Sequence, residues 1–239
     1  MEIAGKTALV TGGTDGIGIE IARQLMARGA SVIVCGRRQA LLDAAVAEGM
    51  EAIAADLSSG EGVAALVAAV KDRPLDILIN NAGAGADYDL AQPIDLSENN
   101  RAIFLNLNAP IQLAALLVPG LKTRPEAALV NVTSGLAIAP RAGGPVYCAT
   151  KAGLRSFTKA IRYQLRGTNV RVIEALPPVV DTQMTAGREG GKMSPAECAR
   201  QIVEAIAKGK TEANVGMVKI LKVVFSISPR LAEAIMIRF

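Results

Sequence analysis

The sequence contains no histidine and no tryptophan, and only 3% of its residues are aromatic. The lack of histidine removes the side chain most often used as a general acid–base catalyst or metal ligand, so we expect no metal site. The three cysteines form no C-x-x-C pair, which indicates neither a zinc site nor a disulfide framework. With 51% apolar residues and few aromatics, the core must consist mainly of Ala, Val, Ile and Leu.

The N-terminal residues show no charged and apolar signal pattern, and no uncharged run approaches the roughly 18 to 20 apolar residues that span a bilayer. We therefore expect a cytoplasmic protein. The formal net charge of +4 is concentrated at one end. From residue 206 onward, six basic residues outnumber the two acidic residues by four. The remainder of the chain is balanced, which argues against nucleic-acid binding.

Short apolar runs alternate with longer helical patterns along the whole chain. Apolar runs without polar alternation are typical of strands buried on both faces, and strand–helix alternation favours a parallel sheet with right-handed crossovers. The sequence predicts an α/β fold: a single-domain, doubly wound Rossmann fold with a parallel sheet flanked by helices. The predicted strands are 6–11, 31–35, 51–56, 75–80, 127–133 and 170–176, and the predicted helices are 16–29, 39–48, 60–72, 98–120, 147–166 and 195–208.

A glycine-rich segment, "TGGTDGIG" at 11–18, follows the first predicted strand and opens the first helix. Gly12, Gly16 and Gly18 would let the backbone turn sharply and approach a pyrophosphate, which the N–H groups of the helix N-terminus attract. The segment therefore predicts a dinucleotide site, although a tight strand–helix turn without a ligand has the same pattern. No Gly-Lys-Ser/Thr follows, which excludes a Walker A loop.

The second predicted strand ends in Gly36-Arg37-Arg38. An acidic residue there would bind the ribose hydroxyls of NAD, whereas two guanidinium groups favour the 2′-phosphate of NADP. We therefore expect NADP(H) as cofactor, with a solvated arginine turn as the alternative. Asp15, inside the glycine segment, adds a negative charge near the expected phosphates.

These segments resemble the short-chain dehydrogenase/reductase family, which the chain matches in order over about its first three quarters. The matching pieces are "TGGTDGIG" (11–18), "ADL" (55–57), "NNAG" (80–83), "NLNA" (106–109), "NVTS" (131–134) and "YCATK" (147–151). The resemblance implies oxidation or reduction of an alcohol/carbonyl pair. It implies that the cofactor contacts Gly12, Thr14, Asp15, Gly16, Ile17, Gly18, Arg37, Arg38, Asp56, Leu57, Asn81, Ala82, Gly83, Tyr147, Lys151, Pro177, Val180 and Thr182.

The resemblance also implies that Ser134, Tyr147, Lys151 and Asn106 are catalytic. Asn108 is a nearby alternative to Asn106. Two departures affect the site: Ala109 replaces a common glycine, and Pro177-Pro178 replaces the usual Pro-Gly, which removes an N–H donor. The C-terminal part resembles a branch associated with D-alanine transfer to teichoic acids.

Tyr147 and Lys151 stand four residues apart, which places them on one face of a helix. A nearby ammonium group stabilises a phenolate and lowers its pKa from about 10. We therefore predict that Lys151 depresses the pKa of Tyr147 so that the phenol exchanges a proton near neutral pH. Ser134 would bind the same substrate oxygen, and Asn106 would hold a water that links Lys151 to solvent. Tyr88 and Tyr163 are expected to be packing or surface residues.

Two further segments remain open. Residues 177–194 predict a mobile substrate or cofactor loop. Met184 and Met193 flank its 182–194 part, where they contact an apolar substrate or fill the loop. Residues 216–239 predict a helical, apolar and basic tail that packs on its own domain, on another subunit or on a membrane surface. We expect a small carbonyl or alcohol substrate and a homodimer or homotetramer. The alternatives are a nucleotide-binding regulator or scaffold of low activity, and an envelope-associated protein that acts on lipid or cell-wall substrates.

Overall fold

The computed structural model describes residues 1–85, 89–188 and 190–238. Tyr88 and Phe239 lie outside the described residues, so the expectations for their side chains have no counterpart there. The described chain forms a seven-stranded parallel sheet with helices on both faces, which confirms the predicted fold class.

The sheet has the strand order β3-β2-β1-β4-β5-β6-β7. The strands are β1 (Thr7–Thr11), β2 (Ser31–Gly36), β3 (Glu51–Ala54), β4 (Ile77–Asn80), β5 (Ala127–Val132), β6 (Val170–Leu176) and β7 (Glu212–Asn214). Strands β2 and β3 lie on one side of β1, and β4 to β7 lie on its other side, so the strand order reverses between β1 and β4 although all strands are parallel. In open α/β sheets, ligands bind at the carboxyl ends of the strands at such a reversal.

Nine helices are described: α1 (Gly16–Met26), α2 (Gln39–Ala47), α3 (Gly60–Val70), α4 (Leu96–Ile103), α5 (Ala109–Leu121), α6 (Pro145–Gln164), α7 (Pro195–Ala207), α8 (Val218–Ile227) and α9 (Pro229–Met236). Several begin at the side-chain caps that the sequence supplies, such as Ser194 before α7, whose Oγ accepts from Glu197 N. The predicted helix boundaries agree with these to within a few residues.

Two apolar cores lie on opposite faces of the sheet. Helices α1, α2 and α7 cover one core, and α3, α5 and α6 cover the other. Along β1, Ala8 and Val10 face the first core and Leu9 faces the second, as the two-residue repeat of a strand requires. This explains why the central strands are apolar without alternation.

Residues Leu96–Leu121 form one continuous helical run in which five residues, Phe104–Asn108, have π-helical geometry between α4 and α5. The run is long and apolar enough to cross a membrane by length and composition. Leu113, Leu117 and Leu121 are nevertheless buried in the second core. The sequence analysis expected no run of this length and missed it.

Strand β7 was not predicted. It consists of three residues, and only Ala213 among them is buried. Such a short edge strand has no apolar run of its own. Its geometry comes from the pairing with β6, in which Ala175 faces Ala213.

The C-terminal tail forms α8 and α9, which pack on each other. Val218 is buried, and the Lys222 ammonium forms an ion pair with Glu212. At the far end of the tail, the Ala142 N–H donates to the Ile237 carbonyl at 3.1 Å. The predicted packing of the tail on its own domain therefore holds for one of its faces, and the other face is exposed.

Candidate active site

A cavity of 630 Å³ lies at the carboxyl ends of the strands, beside the point where the strand order reverses. We name two parts of it: the arginine end, around Arg37 and Arg38, and the tyrosine end, around Ser134 and Tyr147. The predicted residues that line it are Gly12, Thr14, Asp15, Gly16, Ile17, Arg37, Arg38, Asp56, Leu57, Asn81, Ala82, Gly83, Ser134, Tyr147, Lys151, Pro177, Val180 and Thr182. Gly18 and Asn106 are absent from this lining and lie beneath it.

The glycine segment turns where a side chain could not fit. Gly12 has a φ of +60°, and a Cβ there would lie 2.9 Å from the Ala82 Cα. A Cβ on Gly18 would lie 2.1 Å from the Gly12 carbonyl oxygen. The close packing of β1, α1 and the segment after β4 therefore requires both glycines. Gly18 serves this packing and is absent from the cavity lining, and its contact with the cofactor stays a prediction.

Thr11 and Asn81 join the glycine segment to the segment after β4. The Thr11 Oγ1 accepts from the N–H groups of Asn81 and Ala82, each at 3.0 Å. The Asn81 side chain donates to the carbonyls of Thr11 at 3.1 Å and Gly12 at 3.2 Å. Thr11 was missed by the sequence analysis. Its signal is a hydroxyl at the last position of a strand whose three central residues are apolar.

At the arginine end, both predicted arginines face carboxylates. Arg38 pairs with Asp15 at 2.5 Å and donates to the Gln183 side chain at 3.1 Å. Arg37 lies 3.9 Å from the Asp56 carboxylate. The sequence analysis treated these arginines as free of acids because both partners lie elsewhere in the chain. It had placed Asp15 near the phosphates and not beside Arg38.

Asp56 also pairs with Arg101, at 3.1 Å, and its Oδ1 accepts from Ser58 N at 3.0 Å. Partial burial favours the neutral acid and opposes the ionised form. The hydrogen bonds from Ser58 and the charges of Arg37 and Arg101 outweigh that effect and hold the pKa of Asp56 below its usual value. Arg101 is a second residue that the sequence analysis missed.

At the tyrosine end, Ser134 follows β5 and Tyr147 is the third residue of α6. The Ser134 Oγ accepts from Leu136 N at 3.1 Å, and the Ser134 hydroxyl lies close enough to Tyr147 to favour a lower pKa of the phenol. Lys151 lies one turn further along α6, with its Nζ 5.7 Å from the centroid of the Tyr147 ring. The structure therefore brings the three predicted catalytic side chains together on one wall of the cavity.

The pKa of Tyr147 shifts in the direction opposite to the one predicted. Burial raises the pKa of Tyr147 above its usual value, and the opposing contributions come from the Ser134 hydrogen bond and the charges of Arg188 and Arg141. The Lys151 ammonium instead donates to the Val132 carbonyl at 2.9 Å, and burial lowers its pKa to about 8. Helical spacing gave the proximity of the two groups correctly, but it carries no information on the burial that disfavours both charged forms.

Asn106 is fully buried in the π-helical segment. Its Oδ1 accepts from Ala84 N and its Nδ2 donates to the Ala84 carbonyl, both at 2.9 Å. A third contact joins Nδ2 to the Thr150 Oγ1 at 3.3 Å. These bonds fix the segment after β4 against the start of α6, while the predicted water-binding role of Asn106 stays a prediction. The alternative, Asn108, ends the π-helical segment.

A buried ion pair lies directly behind the catalytic wall. The Glu174 carboxylate, on β6, accepts from Arg155 of α6 and from the Thr133 hydroxyl, both at 2.9 Å. Burial raises the pKa of Glu174, and the charge of Arg155 opposes this shift. Because Thr133 precedes Ser134 and Arg155 follows Lys151 by one turn, this network positions both catalytic segments. The sequence analysis did not identify it.

The segment 177–194, in which Glu189 lies outside the described residues, is more ordered than predicted. A parallel bridge pairs Val180 with Met193, and a short 3₁₀ helix spans Gln183–Thr185. Met193 packs against the first core, which is the filling role of the two that the sequence left open. Met184 lines the cavity and is exposed. The Pro177 carbonyl accepts from Gly135 N at 2.9 Å, which ties the segment to the catalytic wall.

Within the ranges 1–85, 89–188 and 190–238, no group of three or more His, Cys, Asp or Glu side chains is placed to hold a metal ion. All three cysteines are buried and free.

A doubly wound parallel sheet with a glycine segment between its first strand and first helix is the architecture of a dinucleotide-binding protein, and sequence comparison agrees. The profile of the short chain dehydrogenase family matches residues 6–192. The chain belongs to the short-chain dehydrogenase family.

Individual relatives point the same way. The chain is 41% identical over 225 residues to the uncharacterized oxidoreductase DltE of Bacillus subtilis, covering 89% of this chain and 88% of the relative. It is 34% identical to serine 3-dehydrogenase of Agrobacterium fabrum, covering 80% and 78%. A crystal structure of a short chain dehydrogenase from Burkholderia cenocepacia in complex with NADP superposes with a TM-score of 0.89 at 26% identity, covering 99% of each chain.

Proposed function

We propose that the protein interconverts a carbonyl and an alcohol with NADP(H), using Ser134, Tyr147 and Lys151. The observation that carries the proposal is the placement of Ser134, Tyr147 and the buried Lys151 in the lining of the same cavity as the glycine segment, with the Lys151 Nζ 5.7 Å from the centroid of the Tyr147 ring. The complex of the Burkholderia relative with NADP supports the choice of cofactor.

The residues present fit a dinucleotide. Gly12 and Gly16, with φ values of +60° and +54°, leave room at the N-terminus of α1 for a pyrophosphate. Arg37 and Arg38 suit a 2′-phosphate because guanidinium groups bind phosphate in a bidentate manner. The cavity continues from these residues to Tyr147 and Lys151. When bound, the cofactor supplies or accepts the hydride.

The protein's own residues then handle the oxygen and its proton. Tyr147 donates its phenolic proton to the carbonyl oxygen in reduction and withdraws it in oxidation. Ser134, beside Tyr147 in the cavity lining, donates a second hydrogen bond that orients this oxygen and stabilises developing negative charge. Lys151, buried beside the phenol, stabilises the phenolate that remains. Because burial raises the pKa of Tyr147, phenolate formation depends on further positive charge, which the oxidised nicotinamide ring of the cofactor would supply.

An activity screen tests this proposal. NADPH and NADH would be supplied side by side with aldehydes, ketones, quinones, 3-oxoacyl thioesters and, in the oxidative direction, serine and other alcohols with NADP⁺. We expect turnover with NADPH in preference to NADH, and we expect Arg38→Ala to weaken NADPH binding roughly tenfold to a hundredfold. Tyr147→Phe should lose turnover, and Tyr163→Phe, on the exposed side of α6, is its matched control. Tight NADPH binding without turnover of any substrate would favour a regulator instead.

We also propose that the protein acts in the cytoplasm as a homodimer or homotetramer. The three free, buried cysteines suit a reducing compartment. Exposed apolar side chains on α5 and α6, such as Leu116, provide surface for a subunit contact. Analytical ultracentrifugation measures the assembly, and a monomer at all concentrations would contradict this part of the proposal.

A further inference from the structure

The tail helices α8 and α9 carry an unusual concentration of exposed apolar side chains. Thirteen large apolar side chains are exposed in the described part of the chain, and seven of them lie between residues 217 and 237. We call these seven the tail face: Met217, Ile220, Val223, Ile227, Leu231, Ile235 and Ile237. Patches of this kind mark interaction surfaces because single exposed apolar residues are normally scattered.

The tail face is distinct from the surface by which α8 packs on its own domain. Val218 is buried and, with Leu221, lies over Gly135, where an added Cβ would be 3.0 Å and 3.6 Å from their side chains, beside the catalytic Ser134. Ile220, Val223 and Ile227 point away and are 56%, 57% and 80% exposed. A helix on the surface of a water-soluble domain normally presents polar residues outward. Helix α8 is apolar on both sides, so its outer side has a partner other than this domain.

The charges around the tail face indicate which kind of partner it binds. Lys219, Arg230 and Arg238 are exposed beside the apolar residues, and the neighbouring acids are Glu233 on α9 and Glu197 on α7, the latter facing Lys219. A second copy of the chain that docked through the same face would bring these like charges together, which disfavours that pairing. An anionic bilayer surface complements both features, since interfacial helices insert apolar residues between headgroups and hold basic residues at the lipid phosphates.

We propose that the tail face docks the protein on the surface of a membrane rich in anionic lipid. The helices lie on the bilayer and do not cross it, because each is at most ten residues long. The tail contacts Gly135 through α8 and Ala142 through the Ile237 carbonyl. Docking therefore holds the β5–α6 connection, which carries Ser134, close to the lipid surface. This inference is independent of the proposed reaction.

Vesicle flotation of the full chain tests the proposal. We expect the protein to float with phosphatidylcholine vesicles that contain phosphatidylglycerol, to float less as salt is added, and to stay unbound with phosphatidylcholine alone. The double variant Ile220→Ser/Ile227→Ser should abolish flotation. Val46→Ser, an exposed apolar residue on α2, is the matched control and should float like the parent.

A second pair of variants tests whether the basic residues of the tail contribute to vesicle binding in a folded protein. Lys219→Gln and Arg230→Gln leave the apolar residues in place, and each should lower the fraction bound to phosphatidylglycerol vesicles about fivefold. Lys71→Gln, an exposed lysine at the end of α3, should change nothing. Circular dichroism and NADPH binding, unchanged in every variant, show that the domain is folded.

Three results would overturn the proposal. One is failure of the parent chain to float with anionic vesicles. Another is flotation that the Ile220→Ser/Ile227→Ser variant does not reduce. The third is a dimer in analytical ultracentrifugation that the same variant converts to a monomer while the parent stays unbound to vesicles, because the tail face would then be a subunit interface.

Discussion

The two ends of the cavity differ in how far their ionisable groups are exposed to solvent. At the tyrosine end, Lys151 is buried and Ser134 is nearly so, and burial shifts the pKa values of Tyr147 and Lys151 toward their neutral forms. At the arginine end, Arg38 and Asp15 pair in the open, with side chains 53% and 49% exposed. Coulombic forces are weakly screened in the first environment and strongly screened in the second.

This difference separates chemistry from recognition. The tyrosine end is held by hydrogen bonds within the protein, such as the bond from the buried Lys151 ammonium to the Val132 carbonyl at 2.9 Å, for which water does not compete. The arginine end satisfies its guanidinium groups with carboxylates that a phosphate can replace at little cost. We therefore expect substitutions at the tyrosine end to affect turnover, and substitutions at the arginine end to affect the choice and affinity of cofactor.

The largest effect is expected for Tyr147→Phe. This variant removes the proton donor and keeps the ring, so turnover should fall by roughly a thousandfold or more while NADPH affinity changes little. Steady-state kinetics measures the first, and fluorescence titration with NADPH measures the second. Equal losses of turnover and of NADPH affinity would show that the phenol holds the cofactor and does not act on the substrate.

The next largest effect is expected for Glu174→Ala, which leaves the Arg155 guanidinium partly buried without its carboxylate partner. Breaking a buried pair from one side costs roughly 3 to 5 kcal/mol of the free energy of unfolding. The matched control is Glu48→Ala, which breaks the exposed pair with Arg23 and should cost less than about 1 kcal/mol. Urea unfolding measures both. Equal losses of the free energy of unfolding in the two variants would contradict the predicted difference between buried and exposed ion pairs.

A smaller effect is expected for Asp15→Asn. The amide still caps α1, where the Asp15 Oδ1 accepts from Gly16 N at 2.7 Å, but it no longer competes with a phosphate for Arg38. NADPH affinity should rise roughly twofold to fivefold, as expected for the loss of an exposed ion pair. NADH affinity, measured in the same titration, serves as the control. Weaker NADPH binding would mean that Asp15 itself contacts the cofactor.

The smallest effect is the uptake of less than one proton by the Lys151 amine when the cofactor binds. Burial lowers the pKa of Lys151 to about 8 in the free chain, so about half of the molecules carry a neutral amine at pH 8. An anionic cofactor favours the charged amine and raises this pKa, so binding at pH 8 should take up less than half a proton. Calorimetry in two buffers of different ionisation enthalpy measures the uptake, which Lys151→Met should remove. Proton release, or uptake that survives the substitution, would contradict the assignment.

The sequence predicted most of what depends on local pattern. The continuous apolar runs identified six of the seven strands, and the glycine segment, Ser134 and Tyr147 lie together as expected. It did not predict β7, which has no apolar run, or the Val180–Met193 bridge, which pairs residues thirteen positions apart within a segment rich in Gly and Pro. It also missed the partners of Arg38 and Glu174, because ion pairs between distant elements leave no periodic trace. The pKa of Tyr147 depends on burial, which spacing does not report.

The most direct test of the account follows deuterium from NADPH labelled at the transferable position of the nicotinamide C4 into the product. With a carbonyl substrate found in the activity screen, the account predicts deuterium on the new carbinol carbon with the parent protein, and product at no more than about a thousandth of that rate with Tyr147→Phe. Deuterium transfer by Tyr147→Phe at the parent rate would contradict the central claim, as would product formed by the parent protein without the label.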